Sequence, residues 1–275
     1  MRHPLLLTAS RQARGVALAL LVLSAAACQD ASAQVGDTSP AEPVPAAHAA
    51  SATPWRPSAP TRAATTPGPS VTITVRPGSA VTALATIAVK GRAPMTSYAR
   101  ALFGPAWADV DRNGCDTRND ILRRDLTAYV IKTGTHRCVV LRGSLRDPYT
   151  GATIAFVRGA STSRAVQIDH VVALGDAWQK GAQAWSTAQR LSFANDPLNL
   201  LAVDGPTNQR KGDGDATTWL PPHKVFRCAY VARQIAVKQR YGVWVTAAER
   251  DAMLRVLQGC PTQPLPARGA SGPRP

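Results

Sequence analysis

The sequence predicts an α+β fold in which a small strand, strand, helix unit sits among helices and is held by two disulfides. Three observations carry this prediction. A short apolar run, Leu198 to Val203, follows a second apolar segment ending at Asp169-His170 and leads into the helix start Asp204-Gly205-Pro206. Apolar stripes at helical spacing flank that unit on both sides. Once Cys28 is set aside, Cys115, Cys138, Cys228 and Cys260 form an even set.

The ends of the 275-residue chain do not have the patterning of a fold. Arg2, His3, Arg11 and Arg14 precede an uncharged run from Gly15 to Ala27, the order of an export signal over residues 1–27. That run is too short for a mature membrane-crossing helix, which needs roughly 20 apolar residues. Two cleavage sites stay open. Ala31-Ser32-Ala33 fits free secretion, and Ala25-Ala26-Ala27-Cys28 fits a lipid-modified Cys28, the one route by which the chain would touch a membrane. Residues 28–80 are rich in Ala, Pro, Ser and Thr with few large apolar side chains, so they read as a disordered tether. Residues 261–275 read the same way, leaving residues 81–260 as the folded unit.

Within that unit the elements are predicted in order. Ala83 to Val89 and Tyr98 to Phe103 are short helices, and Asp116 caps a helix from Thr117 to about Lys132 with Ile121, Leu122, Leu126, Tyr129 and Val130 as its stripe. Cys138 to Leu141 and Thr153 to Val157 are strands, separated by the turn Asp147-Pro148-Tyr149-Thr150-Gly151. Val171 to Trp185 reads as helical, the Leu198 strand and the helix capped by Asp204 follow, and a helix spans Phe226 to Arg240. Thr246 and Glu249 form a capping box for a last helix that stops at Gly259. Cys115 with Cys138 and Cys228 with Cys260 are the pairs that each lie within one segment, although sequence alone leaves three connectivities open. No CxxC spacing supports a cysteine zinc site.

The net charge is +15, and removing Arg2, Arg11 and Arg14 leaves +12. Such an excess favours polyanionic partners without naming one. The chemistry lies in three polar clusters: Asp169-His170, Asn195 to Asn199, and Asn208 to Asp213. Phosphodiester hydrolysis needs a base for water, a hard cation against developing charge, and cationic groups for the backbone. An imidazole beside a carboxylate, an oxygen ligand at Asn208 and a phosphate-facing Lys211 fit that list. Oxygen ligands suit magnesium or manganese better than zinc. Adjacent strand residues point to opposite sides, so the backbone must turn after Asp169 if both side chains are to serve one phosphate. Each cluster alone has an ordinary reading, as a surface pair, a turn or a solvated helix end. It is their order, with the right elements between them, that points to a site.

At these residues the chain resembles the HNH endonuclease family, and more narrowly the exported branch of the group called DUF1524, related to the C-terminal part of GmrSD-type restriction proteins. The core of the resemblance covers residues 149–222. Gly114 to Arg118 and the segment from Cys228 to Cys260 resemble the same subgroup. The resemblance implies a ββα-metal core of the His-Me finger type, with His170 as general base and Asn199 orienting it. It implies Asp169 and Asn208 as ligands of one divalent metal, magnesium or manganese, and Lys211 on phosphate. Asn208 stands where the family's literal pattern has a final His. The implied activity is a metal-dependent endonuclease, acting as a monomer on nucleic acid, chiefly double-stranded DNA, with little sequence preference. An envelope-tethered polyanion binder without catalysis, or an RNase on the same scaffold, are the alternatives.

Weaker features complete the reading. Arg118 and Arg190 are candidate phosphate contacts, against the usual fate of helical Arg as solvated charge. Asp109, Asp111, Asn113 and Gly114 match the first half of a calcium loop, with Asp120 where such a loop wants Glu, or equally a turn leading into the helix capped by Asp116. Trp178, Trp185 and Trp219 could stack on bases, but their apolar neighbours favour core positions.

Overall fold

The computed structural model describes residues 78–267. The export signal, Cys28, nearly all of the tether and the last residues of the tail lie outside the described residues.

The chain opens with helix α1 (Ala80–Ala85), capped by Ser79, and a 3-10 turn at Arg100–Phe103. Asp116 caps helix α2 (Thr117–Asp125) by accepting from Asn119 N, as its position before the apolar stripe predicts. This helix stops seven residues short of the sequence expectation. Residues from Leu126 onward form strand β1 (Leu126–Ile131), which pairs antiparallel with β2 (Val140–Arg146), itself antiparallel to β3 (Thr153–Val157). Leu126, Tyr129 and Val130 fit a helical stripe, but they are also strand formers, and pairing with β2 across the turn that follows Ile131 decides between the two. The first disulfide, Cys115–Cys138, ties the loop before α2 to the loop before β2.

The second sheet has two strands, β4 (Val166–His170) and β5 (Leu200–Asp204), antiparallel, with Asp169 opposite Leu201 and His170 opposite Leu200. Between them lie α3 (Leu174–Trp178) and α4 (Thr187–Ala194) rather than one helix over Val171 to Trp185. Two groups deny Val171 and Val172 a helical start. The Asn199 carbonyl accepts from Val171 N, and the Asn199 side chain holds both backbone groups of Val172. Helix α5 (Gly205–Lys211) follows β5 directly, capped by Asp204 with Pro206 in its first turn.

Strand β5 is apolar from Leu200 to Val203 because both its faces are covered. Leu200 and Ala202 pack with α2 and the three-stranded sheet, whereas Leu201 and Val203 pack with α1 and the last two helices. Its free edge is not left to water: Ala202 N donates to Asp125 and Asp204 N to Asp147.

Helices α6 (Arg227–Tyr241) and α7 (Ala247–Leu257) close the chain, and Cys228–Cys260 joins the first turn of α6 to the residues just beyond α7. Thr246 caps α7 as predicted, but Glu249 does not complete the box. Its carboxylate turns inward to Lys180 and Lys238. Lys180 also meets Asp176 and Asp215, Lys238 also meets Asp176, and Arg92 pairs with Asp176 and Asp215. Charges taken from water are tolerable only when paired this fully. The cluster knits α3, α6, α7 and the loop after α5 together. Trp178, Trp185 and Trp219 all pack into apolar clusters, their core reading.

Candidate functional site

Strand β4 delivers Asp169 and His170 to its end, and α5 brings Asn208 back beside them. All three line one cavity of about 260 Å³, together with Arg100, Gln167 and Asp213. Asp213 reaches this wall because the loop after α5 lies tightly over α3. Gly175 N donates to Asp213 Oδ1, and a Cβ on Gly175 would come within 2.4 Å of Asp213 Oδ2, so any larger residue would push this carboxylate from its place.

The imidazole is fixed by one bond. His170 Nε2 lies 2.9 Å from the carbonyl oxygen of Ala194 at the end of α4. A carbonyl only accepts, so Nε2 carries the proton and Nδ1 keeps the lone pair. Burial holds the His170 pKa down at about 4; the Ala194 carbonyl and Asp169 oppose this, while Arg100 and Lys211 add to it. The ring is therefore neutral near pH 7, the form in which it can accept a proton.

Asp169 is 5% exposed and held from two sides. Its Oδ2 accepts from the Tyr149 hydroxyl, and its Oδ1 accepts from Lys211 Nζ at 2.9 Å. Burial and the neighbouring Asp169 charge keep the Tyr149 hydroxyl protonated well above its usual range, so it remains a donor. Lys211 is a correction to the sequence reading. It does not face outward as a phosphate contact but is buried, its second bond going to the His170 carbonyl at 2.8 Å. The cause is local: a carboxylate buried on β4 needs a countercharge, and α5 passes closest with Lys211.

Asn199 also acts differently from the expectation. Its side-chain hydrogen bonds go to Val172, not to the imidazole. Oδ1 accepts from Val172 N at 2.8 Å and Nδ2 donates to Val172 O at 3.2 Å, so it clamps the turn that follows His170. The candidate phosphate contacts Arg118 and Arg190 are spent elsewhere. Arg118 donates to the Val166 carbonyl, and Arg190 donates to the carbonyls of Leu102, Ala182 and Trp185. In the possible calcium loop, Asp109 and Asp111 accept from the backbone of Asn113 and Gly114, and Asp120 pairs with Arg123.

The donors facing the cavity fit a hard cation. Among the described residues no group of three or more His, Cys, Asp or Glu side chains is placed to hold a metal. Magnesium is commonly held by one or two carboxylates with waters filling the remaining positions. Asp169 accepts one bond on each oxygen and retains further lone pairs. Asn208 donates through Nδ2 to Gln167 Oε1 at 2.9 Å, leaving its amide oxygen as an acceptor, and Asp213 adds a second carboxylate to the same wall.

Sequence reasoning missed Arg100, Tyr149 and the Ala194 carbonyl. Tyr149 was legible only as a turn residue, Arg100 as one basic residue among many, and a backbone carbonyl carries no sequence signal. Arg100 is the exposed cation of the cavity wall.

Comparison with known proteins places this arrangement among relatives. Residues 116–256 match the model of the C-terminal domain of GmrSD restriction endonucleases. An uncharacterized secreted protein of Arthroderma benhamiae is 38% identical over 179 residues, covering 64% of this chain and 82% of that protein. No solved structure matches the chain.

Proposed function

The chain belongs to the family of the GmrSD restriction endonuclease C-terminal domain, and from that premise we propose that it is an exported, metal-dependent HNH-type endonuclease that hydrolyses DNA phosphodiesters with little sequence preference. The observation that carries the reading is the convergence of His170, Asp169 and Asn208 on one polar cavity from one strand and the helix that follows its partner strand. On this reading β4, β5 and α5 are the ββα-metal core.

His170 Nδ1 takes the proton of the attacking water, with Nε2 anchored on Ala194 O. Lys211 and Tyr149 hold the Asp169 carboxylate in one orientation, and Asn199 fixes the backbone turn behind the imidazole. Arg100, not Lys211, faces the phosphate. Asp169 and Asn208, with Asp213 alongside, would hold a magnesium or manganese ion, which would supply charge stabilisation for the phosphate and the leaving oxygen. The substrate is duplex DNA, held by its backbone phosphates, and little sequence preference is expected because among the described residues no separate base-reading module accompanies the core. Two disulfides and a relative called secreted support export. Among the described residues no helix is long and apolar enough to cross a membrane. A lipid on Cys28 and free secretion remain alternative routes, and the protein acts as a monomer.

The test is supercoiled plasmid incubated with the native protein in magnesium, in manganese and in EDTA, beside His170→Ala. Nicking in metal, none in EDTA, and a loss of about 10²- to 10⁴-fold in the variant are expected. Plasmid binding without nicking in either metal would replace the enzyme with a polyanion binder, and cleavage of structured RNA but not plasmid would replace DNA with RNA.

A further inference from the structure

Beyond His170 lies a second cavity, of about 250 Å³, and its lining is of a different kind: Phe103, Pro105, Ala106, Trp107, Leu174 and Asn195. Arg100, His170 and Leu174 line both cavities, so the two are neighbours across a shared wall. We propose that this second cavity takes one nucleobase of the strand being cut, from the nucleotide adjoining the phosphate held in the polar cavity. The proposal rests on the nuclease reading of the polar cavity and adds to it a requirement for an unstacked base.

Size is the first argument. Pockets for whole drug-sized ligands run from roughly 300 to 1,000 Å³, so this one suits a single heterocycle. Chemistry is the second. A ligand spanning the shared wall needs an anionic end beside Arg100 and a flat, apolar end beside Trp107, and a nucleotide has both. The Trp107 and His170 rings are nearly parallel, 13° apart in plane with centroids at 6.1 Å, and Trp107 is half-buried, so an aromatic surface borders the cavity. Stacking on such a ring is available to every base, because every base has a π face. The third argument is an orphan. Asn195 is 1% exposed, and its amide oxygen has no hydrogen-bond partner among the described residues. Buried acceptors are rarely left so, and a small shift of the Asn195 side chain into the cavity its residue lines would let a ring N–H or exocyclic amine of a base satisfy it. A ring N–H lies on the pairing edge and the face that would stack on Trp107 is covered in the helix, so the base must leave the duplex to present both. Arg100, Phe103 and Trp107 precede the residues that match the family model, so this wall is not part of the shared core.

Binding in EDTA tests the proposal without cleavage. A fluorescent single-stranded decanucleotide, the same sequence as a duplex, and the single strand with abasic central positions are titrated into the native protein, Trp107→Leu and Ala106→Phe. Ala106 is exposed on the rim, so a phenyl ring there fills the cavity without touching the core. The single strand should bind more tightly than the duplex. Each variant, and the abasic strand with native protein, should lose about fivefold to a hundredfold, the span of one base stacked on one ring. Equal binding of intact and abasic strands by native protein, with Ala106→Phe unchanged and folded by circular dichroism, overturns the base site. If plasmid nicking persists in that case, the nuclease reading survives alone. If native protein neither binds nor cuts any of these substrates, both readings fall. Should Trp107→Leu not fold, the abasic strand and Ala106→Phe carry the comparison unaided.

Discussion

Replacing Lys211 by methionine separates two roles that the sequence could not. Nζ donates to Asp169 Oδ1 at 2.9 Å and to the His170 carbonyl at 2.8 Å, with no part of the side chain exposed. Methionine preserves length and apolar bulk but leaves the Asp169 carboxylate buried with Tyr149 as its remaining donor. Removing one partner of a buried pair costs about 3–5 kcal/mol. In a domain of this size about 1 kcal/mol moves the melting temperature by roughly 2–4 °C, so Lys211→Met should melt roughly 6–20 °C below the native protein. A residue that gripped phosphate would behave otherwise. Its loss would leave the melt nearly unchanged and lower the slope of log binding constant against log salt by about 0.9, one released counterion. Calorimetry and a salt titration of plasmid binding in EDTA read both quantities. An unchanged melt with the lower slope would refute the clamp and return Lys211 to the phosphate.

The buried cluster around Lys180 and Lys238 makes stability depend on pH at both extremes. Burial opposes ionisation of Asp176, but Lys238 and Lys180 outweigh it and hold its pKa below the ordinary 3.8, so this stabilisation is present above pH 4 and drains away as acid approaches the lowered value. Burial likewise opposes the charge on Lys238, but Asp176 and Glu249 outweigh it and raise its pKa above the ordinary 10.5, so this part is complete below that value and is lost as pH rises beyond it. Urea midpoints measured from pH 3 to 11 should therefore fall at both ends, and a midpoint that rises below pH 4 would contradict the pairing. The Cys228–Cys260 bridge closes a loop with a sequence separation of 32, and the double Cys→Ser variant should lose roughly 3–4 kcal/mol in urea unfolding; a loss under about 1 kcal/mol would show that α6 and α7 hold without it.

What was legible in the sequence was mostly local. Asp116, Asp204 and Thr246 were readable as caps because a cap bonds to an amide only a few residues away. Both disulfide pairs followed from proximity in the chain. The early end of α2 was not readable, because Leu126 to Ile131 satisfies a helical stripe as well as a strand and β2 makes the choice. Glu249 had the spacing of a capping box, but two buried lysines from other elements claim its carboxylate. The order of the site motif was readable, and Asp169, His170 and Asn208 line one cavity, whereas Asn199 and Lys211 do not line it and hold the Val172 backbone and the Asp169 carboxylate instead. Their supports were not readable. The Ala194 carbonyl, Tyr149 and Arg100 reach the site across 20 residues or more of chain, and nothing in their neighbourhoods marks them.

Those supports also explain why a long excursion separates the two strands. Residues 169–172 are gripped from different parts of the fold: Lys211 on α5, Tyr149 in the turn before β3, Ala194 at the end of α4, and Asn199 just before β5. A base that must act on one water gains from having no alternative rotamer, and groups fixed before substrate arrives need no reorganisation during reaction. The residues between β4 and β5 are thus the frame of the imidazole, since both the carbonyl that sets its tautomer and the amide that bends its backbone come from there. Shortening that excursion while keeping Asp169, His170 and Asn208 would preserve the motif and remove what orients it.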